Sequence, residues 1–395
     1  MSARLHTVML EALAPLVFRS GKPFGSQYGA DGAAFPLPSS AAGLLRTLHA
    51  DQAGAPFDAK NAEQLRELSC QGPLLARRRH GKRLQFLLPR PADALYMRDG
   101  DNRRVLRLEP RPLAADCGCD LHPALLPLQM QQTMAGKPAD GPQFWALEHL
   151  TAWQAGKDVD YTDLKAAGQQ ALADEVRTHV GLDDHSLASD EGLLFQTGGI
   201  DLAPARVASG GIDLAPACVA SGGWGDAELV FIARTSASVA PTLATFGGER
   251  RLSRLSAAPD NSWPVAPAGL DAAIRAAGGL CLTLATPAIF SGGHIPGWLD
   301  ADTLEGSPPG MPGLRLRLRA AAVERWLPVS GWDLQRNSPK AMRKAVAAGA
   351  VYWFQIIAAS PPDIAAKLWL APLSDHLQDA RDGFGLALPA AWQAA

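Results

Sequence analysis

Apolar and polar positions along the chain divide it into short strands, a few short helices and long loops. Residues 4–13 alternate loosely and predict a first strand. A loop follows, Phe18-Arg-Ser-Gly-Lys-Pro-Phe24, then a Gly-rich run to Ala34 that closes at Phe35-Pro-Leu-Pro38. Ser39 or Ser40 is placed to cap a helix whose apolar face comes from Ala41-Ala-Gly-Leu-Leu-Arg-Thr-Leu48. Strand, long loop and capped helix make the opening half of a split βαβ unit. Residues 61–69 predict a short helix, and Gly72–Leu75 and Leu84–Leu88 flank a basic run, Arg77-Arg-Arg-His-Gly-Lys-Arg83, as a hairpin with a cationic tip. Residues 144–155 and 162–176 carry helical periods, Gly168 weakening the second, and Thr178–His185 with Glu191–Gln196 reads as a turn into a strand. Residues 227–236 predict a strand, 241–245 a helical turn, and a further strand runs through Leu255.

Residues 257–269, AAPDNSWPVAPAG, are the best linker. Beyond them Leu280–Leu284 predicts a strand, 303–313 a Gly/Pro-rich loop, 361–373 a helix with a proline start, and Arg381–Leu388 a Gly-rich turn into a last strand. Leu314-Arg-Leu-Arg-Leu-Arg319 alternates strictly, so Leu314, Leu316 and Leu318 face a core while Arg315, Arg317 and Arg319 share the other face. Those three arginines need a counter-charge, from RNA, an acidic partner or an acidic helix of the same chain. The run Ala350-Val-Tyr-Trp-Phe-Gln355 is a short apolar strand, with two readings: Tyr352, Trp353 and Phe354 are core, or they are stacking faces beside the cations Arg336, Lys340, Arg343 and Lys344 that precede them.

Charge sharpens this picture. The net charge of -2 over 395 residues hides segregation: eleven Arg/Lys against four Asp/Glu from Arg77 to Arg111, eight against two from Met311 to Ala345, and three against nine from Gly156 to Glu191. Two basic stretches and one acidic one suit a protein that holds nucleic acid on one face, and equally one whose charges pair across its own surface. No apolar run is long enough to span a bilayer and the N-terminus lacks a signal-peptide core, so the expected compartment is the cytoplasm, with no membrane partner. Five cysteines argue against a disulfide framework. Cys117-Gly-Cys119 with His122 offers three metal ligands and no evident fourth, so no metal or other cofactor is expected. Residues 100–142 read as a long irregular insertion, and GGIDLAPARVAS at 198–209 recurs as GGIDLAPACVAS at 210–221, a short duplication in a tolerant loop.

The order of landmarks carries a resemblance. Phe18–Phe24 with the Pro-Leu-Pro-Ser-Ser helix start, Leu88-Pro-Arg-Pro-Ala-Asp93, His179-Val-Gly-Leu-Asp183 with Glu191–Phe195, Phe246-Gly-Gly-Glu-Arg-Arg251, Ala285-Thr-Pro-Ala-Ile-Phe290, Ser330-Gly-Trp-Asp333, Ala347–Tyr352 and Gly383-Phe-Gly385 together resemble the third-subunit family of the type III-B CRISPR effector, the Cmr complex, within the RAMP superfamily. Each motif is weak alone; their joint order over nearly the whole chain is specific. The sequence departs from the family at the duplication and at Ala347-Ala-Gly-Ala350.

The resemblance implies an α+β protein with two ferredoxin-like (RRM-like) RAMP domains, over residues 1–257 and 258–395, with long loop and hairpin insertions. It implies a non-catalytic RNA-binding subunit that holds the 5′ tag of the guide RNA and docks the large polymerase-like subunit and a neighbouring RAMP backbone subunit. Phosphate clamping by cations, by N–H groups of Gly-rich turns and by aromatic faces is the physics of that role. The residues expected to supply it are Arg19, Lys22 and Arg46; Gly247, Gly248, Arg250 and Arg251; and Arg336, Lys340, Arg343 and Lys344 with Gly383 and Gly385. The competing reading is a RAMP endoribonuclease that processes repeat RNA, with His6, His179 or His185 as general base.

Overall fold

The computed structural model describes residues 5–18, 34–55, 61–183, 185–186, 188–202, 227–333, 338–358 and 361–394. Seven helices lie among them: α1 (Pro38–Gln52), α2 (Ala62–Glu67), α3 (Leu147–Gln154), α4 (Tyr161–Ala167), α5 (Leu270–Ala277), α6 (Ile364–Leu368) and α7 (Leu377–Asp382). Two antiparallel sheets organise the rest. The first has seven strands in the order Thr242–Thr245, Leu252–Ala257, His6–Ala12, Ala227–Thr235, Cys70–Arg79, Gln85–Pro89, Phe144–Ala146. The first strand sits between Ala227–Thr235 and Leu252–Ala257, with Val8 opposite both Ala233 and Ala257. The second has six, in the order Glu305–Gly306, Leu316–Ala322, Val351–Ile356, Gly279–Leu284, Leu386–Ala391, Ala371–Pro372.

Both faces of the first sheet are buried, which is why its strands read as nearly continuous apolar runs. Leu10, Leu75, Leu87, Phe231 and Leu255 pack with Ala41, Ala42 and Leu45 of α1. The alternate positions Met9, Leu74, Ala76, Phe86 and Ile232 pack with Trp263, Leu370, Leu386 and Leu388 from the C-terminal part of the chain. On the second sheet Leu280, Leu282, Leu316, Leu318, Tyr352 and Phe354 share a core with Ile274 of α5 and Ile364 of α6. A bulge between Leu318 and Ala320 reverses the parity of that strand, so Ala320 and Ala322 join Cys281, Trp353 and Ala390 on the other face. The aromatic run is therefore core: Tyr352, Trp353 and Phe354 are all buried, and the stacking reading of them falls. The counter-charge for Arg315 and Arg317 is Glu305 on the adjoining edge strand, so it comes from within the chain but from a strand, which is none of the three sources considered from sequence.

Several other expectations change. α1 begins at Pro38 after Leu37, with no side-chain cap, so neither Ser39 nor Ser40 serves as one; a proline at the first turn has no N–H to leave unpaired. Residues 100–142 are not irregular throughout. Ala94–Asp99 and Asn102–Pro110 form a hairpin, joined by Leu128–Met130 and Lys137–Pro138 into a four-stranded sheet. Tyr96 and Ala94 of that sheet pack with Trp145, Trp153, Tyr161 and Leu164, while Ala92 and Leu128 pack beneath the second main sheet. Arginines at four of its strand positions, Arg98, Arg103, Arg104 and Arg107, masked the alternation. The helix expected over 162–176 stops at Gly168 and gives way to a strand, Ala173–Leu182, which pairs with Ser189–Asp201 in a long two-stranded hairpin. Residues 242–245 are an edge strand where a helical turn was expected, and the helix expected over 361–373 is confined to Ile364–Leu368.

Candidate nucleic-acid interface

The cationic stretch before Val351 is a β-hairpin. Leu327–Val329 pairs with Arg343–Ala345, and Trp332–Asp333 with Ser338–Pro339 further out. Between the two ladders Lys340 N donates to Gly331 O at 2.8 Å and Ser330 Oγ to Lys340 O at 2.9 Å. The root is anchored where Val329 and Ala345 pack with Ile289 and Phe384. Lys340, Arg343 and Lys344 are exposed. Arg343 is held in place by α7: its Nη1 and Nη2 each donate at 2.8 Å to the two oxygens of Asp379, a bidentate pair with a buried carboxylate. Lys344 Nζ lies 5.3 Å from the ring centre of Trp326. Trp326 and Trp332 are 49% and 48% exposed, so the aromatic surface beside these cations is theirs and not that of Tyr352–Phe354. An indole flanked by Arg325 and another beside Asp333 carried no periodicity to flag them in sequence.

The second cluster, Phe246–Arg251, is an exposed turn built on close backbone approach. Gly248 N donates to Val17 O at 2.7 Å. Gly247 has φ of 88°, and a Cβ there would sit 2.5 Å from the same carbonyl, so the position is closed to side chains. Glu249 and Arg250 also take positive φ, 57° and 50°, which turns the Arg250 side chain out to solvent. Arg251 is half-buried, with its Nε buried and without a hydrogen bond.

The described flanks of the first loop meet both clusters. Its near flank ends at Phe18, whose ring meets Phe246 edge-on at 4.9 Å. Its far flank, Ala34–Leu37, lines a groove of 490 Å³ together with Leu327 and Pro328 from the root of the cationic hairpin. Arg19 and Lys22, like Arg336, lie outside the described residues.

Three sequence-predicted site residues are elsewhere. Arg46 is buried: Nη1 donates to Asp382 Oδ1 at 2.6 Å, and Nε and Nη2 donate to Leu68 O at 3.2 and 2.7 Å. Its cation ties α1 to α7 and is withdrawn from any RNA surface. Gly383 and Gly385 are internal, with φ of 94° and 80°; Gly383 ends α7 in the left-handed conformation and packs onto the carbonyls of Cys70 and Gly72. The basic hairpin tip is also partly spent. Arg77 is buried and donates to Ala167 O and Gly168 O at 2.7 and 2.9 Å, with burial lowering its pKa to about 10. Arg78 pairs with Glu228 and Glu11.

The candidate general bases do not converge. His6 opens the first strand of the first sheet, while His179 and His185 belong to the Ala173–Asp201 hairpin, His179 Nε2 lying 2.8 Å from Thr197 Oγ1. Among the described residues no group of three His, Cys, Asp or Glu is placed to hold a metal ion, and Cys117 and Cys119 are exposed and free. A cavity of 920 Å³ beneath the inserted sheet is lined by two strongly perturbed groups, the Cys281 thiol, pushed up to about 12 by burial, and Asp93. Burial pushes the Asp93 pKa up to about 6, opposed by the hydrogen bond from Trp153 Nε1 at 3.0 Å and by Arg107, whose guanidinium lies 3.6 Å over the Trp153 ring. Among the described residues no helix is long and apolar enough to cross a membrane.

The CRISPR-associated protein family Cas_Cmr3 matches residues 8–392. The chain belongs to that family. It is a subunit of the type III-B CRISPR effector, as the order of its landmarks indicates. Two cryo-EM structures of the type III-B Cmr-beta, one bound to cognate target RNA and one to cognate target RNA and AMPPnP, contain a chain similar to this Cas_Cmr3 member. In each, identity is 13%, TM-score 0.46, and coverage 88% of this chain and 86% of the other. A crystal structure of the Csm3-Csm4 subcomplex of the type III-A interference complex has a chain 10% identical, with TM-score 0.38, covering 89% of this Cas_Cmr3 chain and 94% of that one. No curated protein matches.

Proposed function

We propose that this Cas_Cmr3 member is a non-catalytic, RNA-binding subunit that holds the 5′ tag of the guide RNA in the effector and docks the large polymerase-like subunit and a neighbouring RAMP backbone subunit in the cytoplasm. The observation that carries the reading is the convergence of two exposed cationic features at the flanks of one Gly-rich loop: the Gly247–Arg250 turn at Phe18, and the Leu327–Ala345 hairpin at Ala34–Leu37. A single RNA strand laid between them meets Arg250, Lys340, Arg343 and Lys344 along its phosphates and the half-exposed indoles of Trp326 and Trp332 for its bases.

The domain reading rests on strand order. Within each main sheet four strands, taken in chain order, stand fourth-first-third-second: Leu252–Ala257, His6–Ala12, Ala227–Thr235, Cys70–Arg79, and Leu386–Ala391, Gly279–Leu284, Val351–Ile356, Leu316–Ala322. We take both as ferredoxin-like sheets and place their boundary near residue 257. The first keeps helices in its first crossover, α1 and α2, and the second keeps helices in its second, α6 and α7.

The test is UV crosslinking of the assembled complex to guide RNA, with peptide mapping on this chain. Crosslinks from the 5′ tag to 245–251 or 338–345 support the clamp. Their absence from an intact complex leaves the chain as a protein-contact subunit.

A further inference from the structure

The hairpin Ala173–Asp201 has no role in the clamp, and its surface is unusual. Its base is anchored: Ile200 is buried and bridges to Leu16. Further out the hairpin is a sheet of two strands alone, an arrangement with little stability of its own in water. Strand alternation puts Val176, Val180 and Leu182 on one face, and the register sets Leu194 directly opposite Val180. These four side chains are 48–64% exposed, an in-register aliphatic stripe turned to solvent. Thr178 and Gln196, paired across the strands between Val176 and Val180, continue the same face as an uncharged pair.

Charge decides what fits there. Residues 173–201 carry seven Asp/Glu against one Arg, Arg177, and that cation is paired with Glu175. A phosphate backbone is repelled by such a surface, and a lipid headgroup layer rich in anions equally so. We propose that this stripe docks a different protein, one whose matching surface is an aliphatic patch rimmed by lysine and arginine. The aliphatic side chains supply the buried contact, and the carboxylates steer the basic rim and fix its register. The assignment is independent of the guide-RNA reading, because none of these residues belongs to the cationic clamp.

The experiment uses the full chain in its assembled complex. A photo-crosslinking benzophenone amino acid replaces Val180, and separately a Val180→Thr/Leu194→Thr double variant places a strand-favouring β-branched residue at both positions while removing the aliphatic contact. The expected crosslink is to another protein subunit. The double variant loses affinity for that subunit by at least about tenfold with its melting temperature unchanged, since the altered side chains are exposed. Association with the subunit slows as salt is raised. A crosslink to RNA or to a second copy of this chain overturns the proposal. So does an uncrosslinked position 180 in an intact complex, or a double variant that binds as the wild type does. Guide-RNA affinity of the double variant, measured in parallel, is expected to be unchanged, which separates failure here from failure of the clamp.

Discussion

Replacing Arg46 separates a structural cation from an RNA-binding one. Its side chain is 10% exposed and that of Asp382 is 11%, and Nη1 to Oδ1 is 2.6 Å. Arg46→Ala leaves the Asp382 carboxylate buried and also strips Leu68 O of two donors at 3.2 and 2.7 Å. Breaking a buried pair from one side costs about 3–5 kcal/mol, because the remaining charge has lost its partner and not regained water. For 395 residues unfolding as one unit, the unfolding entropy is on the order of 0.8 kcal/mol/K, so a loss of about 4 kcal/mol lowers Tm by about 5 °C. Arg46→Ala/Asp382→Ala is expected to be less destabilised than the sum of its two single variants, since the second change removes the stranded charge. Calorimetry on the three variants gives these values. Filter binding at several salt concentrations, corrected for the folded fraction, is expected to give wild-type affinity and slope for Arg46→Ala. A Tm shift under about 1 °C, or a lost phosphate contact at unchanged stability, would refute the reasoning.

Three further outcomes are expected. The triple variant Lys340→Ala/Arg343→Ala/Lys344→Ala should bind guide RNA more weakly and flatten the plot of log affinity against log salt by about 2, each single-strand phosphate contact contributing about 0.7; an unchanged slope removes the hairpin from the clamp. Gly247→Ala forces a Cβ to 2.5 Å from Val17 O at φ of 88°, and a destabilisation of about 1–3 kcal/mol should appear as accelerated amide exchange in the 246–251 turn. Asp93 has its pKa raised by burial from 3.8 to about 6, so the folded state holds that proton more tightly than the unfolded state. Its contribution to stability is fully present below the unfolded value, falls as pH rises from about 4 to 6 and is flat above. Asp93→Asn, which keeps an acceptor for Trp153, should therefore gain on the wild type by up to about 3 kcal/mol as pH rises through that window, measured by denaturant unfolding at pH 4 and pH 7.

The main strands of both sheets were legible because burial imposes continuous apolar runs where both faces are covered and alternation where one is not. Leu314, Leu316 and Leu318 read as one face and are one face. The inserted sheet was not legible, because its strand Asn102–Pro110 carries three arginines and its core partners, Trp145, Trp153 and Tyr161, come from distant sequence. The aromatics stayed open between core and stacking faces for a related reason. Tyr352–Phe354 and Trp326 or Trp332 are the same kind of side chain beside the same cations, and only packing separates the buried three from the exposed two.

By itself the sequence determined the class of the chain, the position of its Gly-rich turns and the segregation of its charge, all of which are local or additive properties. The ordered landmarks determined its family. Which cations are free was decided by tertiary structure alone. Arg46 and Lys340 were equal candidates as cations in the sequence, but one faces a buried carboxylate 336 residues away and the other faces water. A charge buried without a partner is costly, so the fold supplies acceptors to Arg46 and Arg77 where it encloses them, and no local pattern records which cations those will be.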